Sequence, residues 1–568
     1  MSVNNIFMTI RFKTTFFKNS IIFVILFLIA LSPFVMNMRD SFVSDDWNFL
    51  YTASHDSIFS HDVWLYNNVG NHDGGTYRPM VRIFWRVMYV LFRDMPTAYH
   101  IATLFFHIAN GFLLFFLSKK FLSYVHTKKY SNFIAYITAL LFFVLPHHSE
   151  AVVWVSVVND TMMTSFILSA LFLFIHYMQT KKIIYYIVSL GMSVLAYMTK
   201  EMAIVLPIIF CCSGLWILWQ NKNMTWLSVK KLFVLLTPFV LSLCIYMFAR
   251  YYATGLLLKN YGKNIAFSLD HVLMSFFNIS VSHVLSGVYR VYIAQGLYNH
   301  RSIVIILCIG LIALCIYTMY KKKIGSELVL FLLLYMIAII PVSQFVLPRS
   351  MIYSSQEGER FAYFPSIFFV LMLVSLCSYI FQYAKNKKIH IVYSFVCVIV
   401  CGLLYVQLWQ KNMQWHIASY RSISLLHSVE AYVDEYHPDA VVVFGLPDQY
   451  HGALMWRNGF ADALRVRGKN LDMIVASARI LYSEDMNVTV KRDGDVFDYY
   501  SFDAWHLGQK SISYYDYSLE FIDDEFFDSG RIAHMMRIQF SDEFLQTNRD
   551  KKIALLFFDG TAIKTFLL

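Results

Sequence analysis

The chain is poor in charge. Only 15% of its 568 residues are Asp, Glu, Lys or Arg, against about 25% in an ordinary soluble domain. Hydrophobic residues reach 58% and the mean hydropathy is +0.52. Apolar runs near membrane-spanning length recur along it, which excludes one large soluble core. Cysteine is absent from every polar stretch. All 8 cysteines lie inside apolar runs, and no CxxC occurs. A disulfide framework outside the membrane is therefore excluded, and the thiols are expected to be small buried hydrophobes. No small-residue cleavage site follows the first apolar run, so an uncleaved first span is expected. There is no internal repeat and no low-complexity tract.

The formal net charge is +10, but the lysines form no patch with interleaved polar readers. No nucleic-acid partner is expected. The basic residues cluster between apolar runs, where positive charge marks the cytoplasmic side of a membrane. Runs at 21–38, 98–117, 133–145, 151–178, 183–198, 203–219, 232–249, 303–320, 328–346, 361–383 and 389–409 give about eleven spans. Lys119, Lys120, Lys128, Lys129, Lys181, Lys182, Lys222, Lys230, Lys231, Lys321, Lys322, Lys323, Lys385, Lys387 and Lys388 then share one side. The N-terminus is placed in the cytoplasm with them. Residues 251–301 contain Asn278, His283 and Arg290 and are expected to form interfacial helices outside.

The expected fold class is a polytopic α-helical membrane protein with a C-terminal extracytoplasmic mixed α/β domain. Residues 1–411 form the transmembrane domain, whose first outer loop, 39–97, carries an acidic pair. Residues 412–568 form the soluble domain. Within it, 440–444 reads as a buried strand, and 488–491 with 496–499 as a hairpin around Asp493-Gly494. Residues 553–558 read as another strand.

Ionisable residues gather at the outer ends of the spans. They are Asp45 and Asp46, Arg78, His147, His148 and Glu150, Asp160, Lys200 and Glu201, Arg250, and Glu357, Glu359 and Arg360. Charge near hydrocarbon is costly and usually functional. Cations such as Arg78, Lys200 and Arg360 suit a lipid phosphate, and a carboxylate such as Asp45 or Asp46 suits a general base. Each feature also has a structural explanation. The acidic pair can be a solvated turn or a helix cap, and the histidine turn an interfacial anchor. Lys200-Glu201 can tie two spans together, and Glu359-Arg360 can be a loop pair.

The pattern Asp45-Asp46-Trp47, Tyr77-Arg78-Pro79, Tyr99-His100 with His107 and Asn110, and Pro146-His147-His148-Ser149-Glu150 with Asp160 continues through Thr199-Lys200-Glu201 and Pro207 to Glu359-Arg360 and Tyr363-Phe364-Pro365. Over roughly residues 20–410 it resembles the C-superfamily (GT-C) membrane glycosyltransferases, within them the transmembrane and tetratricopeptide-repeat O-mannosyltransferases and bacterial relatives. The repeats themselves are absent. Leu145 and Asn159 stand where relatives often carry histidine and arginine. The resemblance implies inverting transfer from a polyprenyl-phosphate sugar to a glycan, lipid or protein acceptor at the outer face. Asp45, with Asp46 beside it, would be catalytic. Arg78, His148, Glu150, Asp160, Lys200, Glu201, Glu359 and Arg360 would bind donor phosphate or sugar. It implies no catalytic metal and no cofactor. A bacterial inner membrane, with the C-terminal domain in the periplasm, is the expected location. A flippase for lipid-linked sugars and a non-catalytic scaffold are the alternatives.

Overall fold

A computed structural model describes residues 24–55, 76–125, 128–255, 269–285, 325–343, 358–383, 387–469, 473–481, 488–493, 496–502, 511–513, 517–526, 532–547, 549–558 and 563–567, with a few isolated positions. The expected span at 303–320 falls outside the described residues except for isolated positions, and Glu357 and Arg290 fall outside them altogether. The chain divides into two units. The first holds residues up to Met38, Ile58–Phe84 and Ala98–Asn412; the second holds Arg39–Ser57, Trp85–Thr97 and Met413–Leu568.

The first unit is helical because its apolar runs must satisfy every backbone group within themselves. Among the described residues, helices long and apolar enough to cross a membrane run over Pro96–Leu122, Val155–Thr180, Glu201–Gln220, Trp226–Thr254 and Glu359–Tyr379, and the helix Ser394–Tyr436 passes from this unit into the second. Shorter apolar helices cover Val24–Arg39, Ile134–Phe143, Ile183–Thr199 and Ser326–Val342. Helix ends follow local chemistry. Thr225 caps the Trp226–Thr254 helix by accepting from the Ser228 N–H at 3.2 Å, and Gly255, at φ 69°, closes it. Lys181, at φ 59°, turns the chain between two antiparallel neighbours, which Ser189 Oγ ties by donating to the Ala170 carbonyl at 2.8 Å. Stacked Phe174 and Phe210, with Phe239 edge-on to both, fill the interior. Phe233, Val234, Leu241, Ile245 and Phe248 face outward, as a lipid-facing helix requires.

Of the expected interfacial stretch, the helix Leu269–Val284 is described. Its 16 residues rise about 24 Å, short of the roughly 30 Å of a hydrocarbon core. Four of its polar residues, Ser275, Asn278, Ser282 and His283, are buried.

In the second unit the strand expected at 440–444 is β1, Ala440–Tyr450, buried along its whole length. It lies parallel to β3 (Met473–Leu481) and β9 (Ile553–Phe558) and antiparallel to the short β2 (Ala453–Leu454). His451 and Gly452, at φ 48° and 89°, make the two-residue turn between β1 and β2. Such a turn needs positive φ at both positions. β10 (Ile563–Leu567) pairs antiparallel with β9. A second, antiparallel sheet has the order β4 (Val488–Asp493), β5 (Val496–Phe502), β8 (Ile532–Phe540), β7 (Tyr517–Phe526) and β6 (Ser511–Ser513). Its β4 and β5 are the expected hairpin, in register at Asp493 and Val496.

Candidate active site

The ionisable residues of the first unit meet through partners that lie far away in sequence. Thr199 ends one helix and Lys200 is extended (φ −159°), so Lys200 and Glu201 point apart. Lys200 Nζ donates to Asp160, at 2.6 Å from each carboxylate oxygen. Side-chain exposures of 4% and 0% close this pair to solvent. Glu201 instead accepts from two guanidinium groups. Arg78 donates to Oε2 through Nε at 3.1 Å and Nη2 at 2.9 Å, and Arg250 donates to Oε1 at 2.8 Å. Arg78 and Glu201 keep 13% and 18% of their side-chain surface exposed, whereas Arg250 keeps 3%. Tyr246 secures this corner by donating to the Tyr77 carbonyl at 3.1 Å.

Glu150 and Arg360 form a third group. The Arg360 guanidinium and backbone N–H both donate to the Glu150 carboxylate, the latter at 2.7 Å, and the Gly358 N–H adds a contact at 3.3 Å. Burial pushes the Glu150 carboxyl up from its ordinary range, and the Arg360 charge opposes that. Arg360 lies over the rings of Trp154 and Phe361 at 5.1 and 4.9 Å, and Lys200 lies over the same Phe361 ring at 5.1 Å. Phe361 thus links the Asp160–Lys200 pair to Glu150–Arg360. Glu359 pairs with Lys411, and both are buried.

His148 stands elsewhere, in a ring of aromatics. Its Nε2 is 3.0 Å from Ser366 Oγ, and its ring centroid is 4.5 Å from Phe142 and 4.6 Å from Tyr363. His147 lies beside it and meets His283 at 3.2 Å. Burial, then the neighbouring His107 and His283, push the His148 pKa well below its ordinary 6.5, so the imidazole is neutral. Among the described residues, no group of three or more His, Cys, Asp or Glu side chains is disposed to hold a metal ion.

Asp45 and Asp46 belong to the second unit and open the helix Asp45–His55. Carboxylates are favoured there by the helix dipole. Asp46 is buried and accepts from the Val43 N–H at 3.1 Å. Asp45 is half-buried, and its Oδ1 accepts from Asn458 Nδ2 at 2.7 Å.

The pairings differ from both sequence-adjacent possibilities. Lys200 and Glu201 go to separate partners, as do Glu359 and Arg360. Lys411 and Asn458 were not among the expected residues. Lys411 had a signal: a lysine at the expected outer end of the last span runs against the pattern that places lysines inside. Asn458 had none, since an asparagine in a loop is commonplace.

Fold and charge placement define a polytopic helical membrane protein with buried ion pairs between its helices and a strand-rich second unit. No family model matches the chain. No curated protein matches it. Among solved structures it is similar to the crystal structure of ArnT from Cupriavidus metallidurans bound to undecaprenyl phosphate. That match has a TM-score of 0.45 and 11% identity, and covers 83% of this chain and 96% of that one.

Proposed function

We propose that this protein is an inverting glycosyltransferase that moves a sugar from a polyprenyl-phosphate carrier to an acceptor on the extracytoplasmic face of a bacterial inner membrane. The observation that carries the proposal is the pair of guanidinium groups held on one carboxylate, Arg78 and Arg250 on Glu201, with Arg78 reachable from solvent. Two guanidinium groups brought to one place are the donors that suit a phosphate. Glu201 fixes both arginines before substrate arrives, so less ordering cost falls on binding. Arg360, 18% exposed, is a third cation for the donor. Lys200 acts through Asp160, and Glu150 and Glu359 orient Arg360 and Lys411.

In the proposed reaction Asp45 takes the proton of an acceptor hydroxyl. The freed oxygen attacks the anomeric carbon from the face opposite the phosphate, and the bond from that carbon to the phosphate oxygen breaks. Polyprenyl phosphate leaves with one more negative charge than it had as the diester. Arg78 and Arg250 stabilise that charge as it develops. The N-terminus is cytoplasmic and residues 412–568 are periplasmic.

The test compares membranes carrying wild type, Asp45→Asn and Asp46→Asn, each at matched expression. Radiolabelled undecaprenyl-phosphate mannose, glucose and galactose are supplied, and label reaching non-lipid material is counted. Wild type transfers; Asp45→Asn loses about 10²–10⁴-fold, the range for a removed general base. Activity in both variants equal to wild type would remove the acidic pair from the chemistry. Transbilayer movement of intact donor without transfer would make the protein a flippase.

A further inference from the structure

The residues around Asp45 reveal a role for the C-terminal part of the chain. All of them lie in the second unit. The helix Asp45–His55 is joined to the segment 458–465 at three successive positions on one face. Asn458 Nδ2 donates to Asp45 Oδ1 at 2.7 Å. Asn48 Nδ2 donates to Asp462. The Arg465 guanidinium, itself 2.8 Å from Asp462, lies over the Tyr51 ring at 5.6 Å. Positions 45, 48 and 51 are three residues apart, so they line one side of a helix. The joined segment contains the short helix Phe460–Val466, so a residue-by-residue register forms between the two.

The residue before the acid is held from the same segment. Ser44 has φ 48°, a left-handed conformation that costs a non-glycine residue energy and persists only where neighbours enforce it. Its N–H donates to the Met455 carbonyl at 2.7 Å. Gly459, at φ 83°, comes so near that a Cβ there would run into the Ser44 carbonyl oxygen. Ser44 is fully buried. Contacts on both sides of the acid therefore come from residues 455–465.

We propose that Asn458 is a positioning residue for the catalytic base. Its amide donates to the Asp45 carboxylate and orients it toward the acceptor hydroxyl, and the loop 455–459 places that amide. The proposal rests on the assignment of Asp45 as the base. An amide donor on a carboxylate contributes to fixing its plane, and loss of that donor moves the carboxylate off the reactive geometry. The effect belongs on kcat and not on donor binding.

The experiment measures kcat and donor KM for transfer from radiolabelled undecaprenyl-phosphate hexoses by the full-length protein in membranes. The variants are Asn458→Ala, Asn458→Asp, Asn458→Gln and Asp45→Asn, with folding checked by monodispersity in detergent. Asn458→Ala is expected to lower kcat about tenfold with donor KM unchanged, the size of a lost charge-assisted hydrogen bond. Asn458→Asp keeps the shape, removes the donor and sets a like charge against Asp45, so it falls further. Asn458→Gln, which retains an amide, recovers part of the rate. If all three Asn458 variants keep wild-type kcat while Asp45→Asn is inactive, the positioning role is wrong and the base stands. If they raise donor KM and leave kcat alone, Asn458 contacts substrate and is not a positioning residue. An active Asp45→Asn overturns the base, and the role of Asn458 with it.

Discussion

Replacing Lys200 by Met strips Asp160 of the ammonium that both its oxygens accept, at 2.6 Å each. The carboxylate stays where it was, fully buried. An ion whose partner is removed in such surroundings costs about 3–5 kcal/mol, far more than an exposed pair would. Removing both charges, as Asp160→Asn with Lys200→Met, leaves a neutral and similarly shaped pair, and the cost should largely disappear. At about 2 °C per kcal/mol for a large domain, Lys200→Met lowers Tm by roughly 6–10 °C and the double variant restores most of it. Tryptophan fluorescence of the four proteins in detergent, heated at one scan rate, reads the cycle. Donor KM is measured beside it. A double variant as unstable as Lys200→Met refutes the argument, because Lys200 would then stabilise through something other than Asp160. A Lys200→Met protein with normal Tm and a tenfold higher donor KM refutes it in another way, by making Lys200 a phosphate ligand.

Two further outcomes are expected. Arg78→Ala raises donor KM about tenfold or more, and Arg78→Lys does not rescue it. A lysine cannot reproduce the two contacts that Nε and Nη2 both make to Glu201 Oε2; full rescue by Lys would mean that charge alone matters there. Stability also falls in mild acid because of His148. Its native pKa is depressed by burial, so its contribution is present above the unfolded value near 6.5 and is lost as pH falls below it, where only the unfolded chain takes the proton. Tm recorded from pH 7.5 to 5 should drop, and drop less in His148→Gln; identical slopes would place the acid sensitivity elsewhere.

Much of the helical unit was legible beforehand. A run such as 98–117 has few polar residues, and the helix Pro96–Leu122 covers it because an apolar segment in lipid has no other way to pair its backbone. The strands at 440–444 and 553–558 were legible for a related reason. Short apolar runs bounded by polar residues in a mixed domain are the interior of a sheet, and β1 and β9 sit side by side there. The ionisable residues at the ends of the spans could be picked out as well, since charges beside long apolar runs stand out against their surroundings.

The partners could not be read. Glu201 is adjacent to Lys200, yet its cations come from positions 78 and 250, and Lys200 reaches back to Asp160. Glu359 turns to Lys411 while its neighbour Arg360 turns to Glu150. Adjacent side chains at a helix end point in different directions, so which opposite charge each one meets depends on how distant helices pack. The acidic pair shows the same division. Sequence alone singled out Asp45 and Asp46 as unusual and left a solvated turn and a helix cap both open; the structure has them open a helix. Burial of one, and the hold of Asn458 on the other across 413 positions of chain, exist only because residues 39–57 and 413–568 fold together. Hydrophobic pattern and charge are local properties that a sequence states outright; contact between remote residues is a property of the packed chain alone.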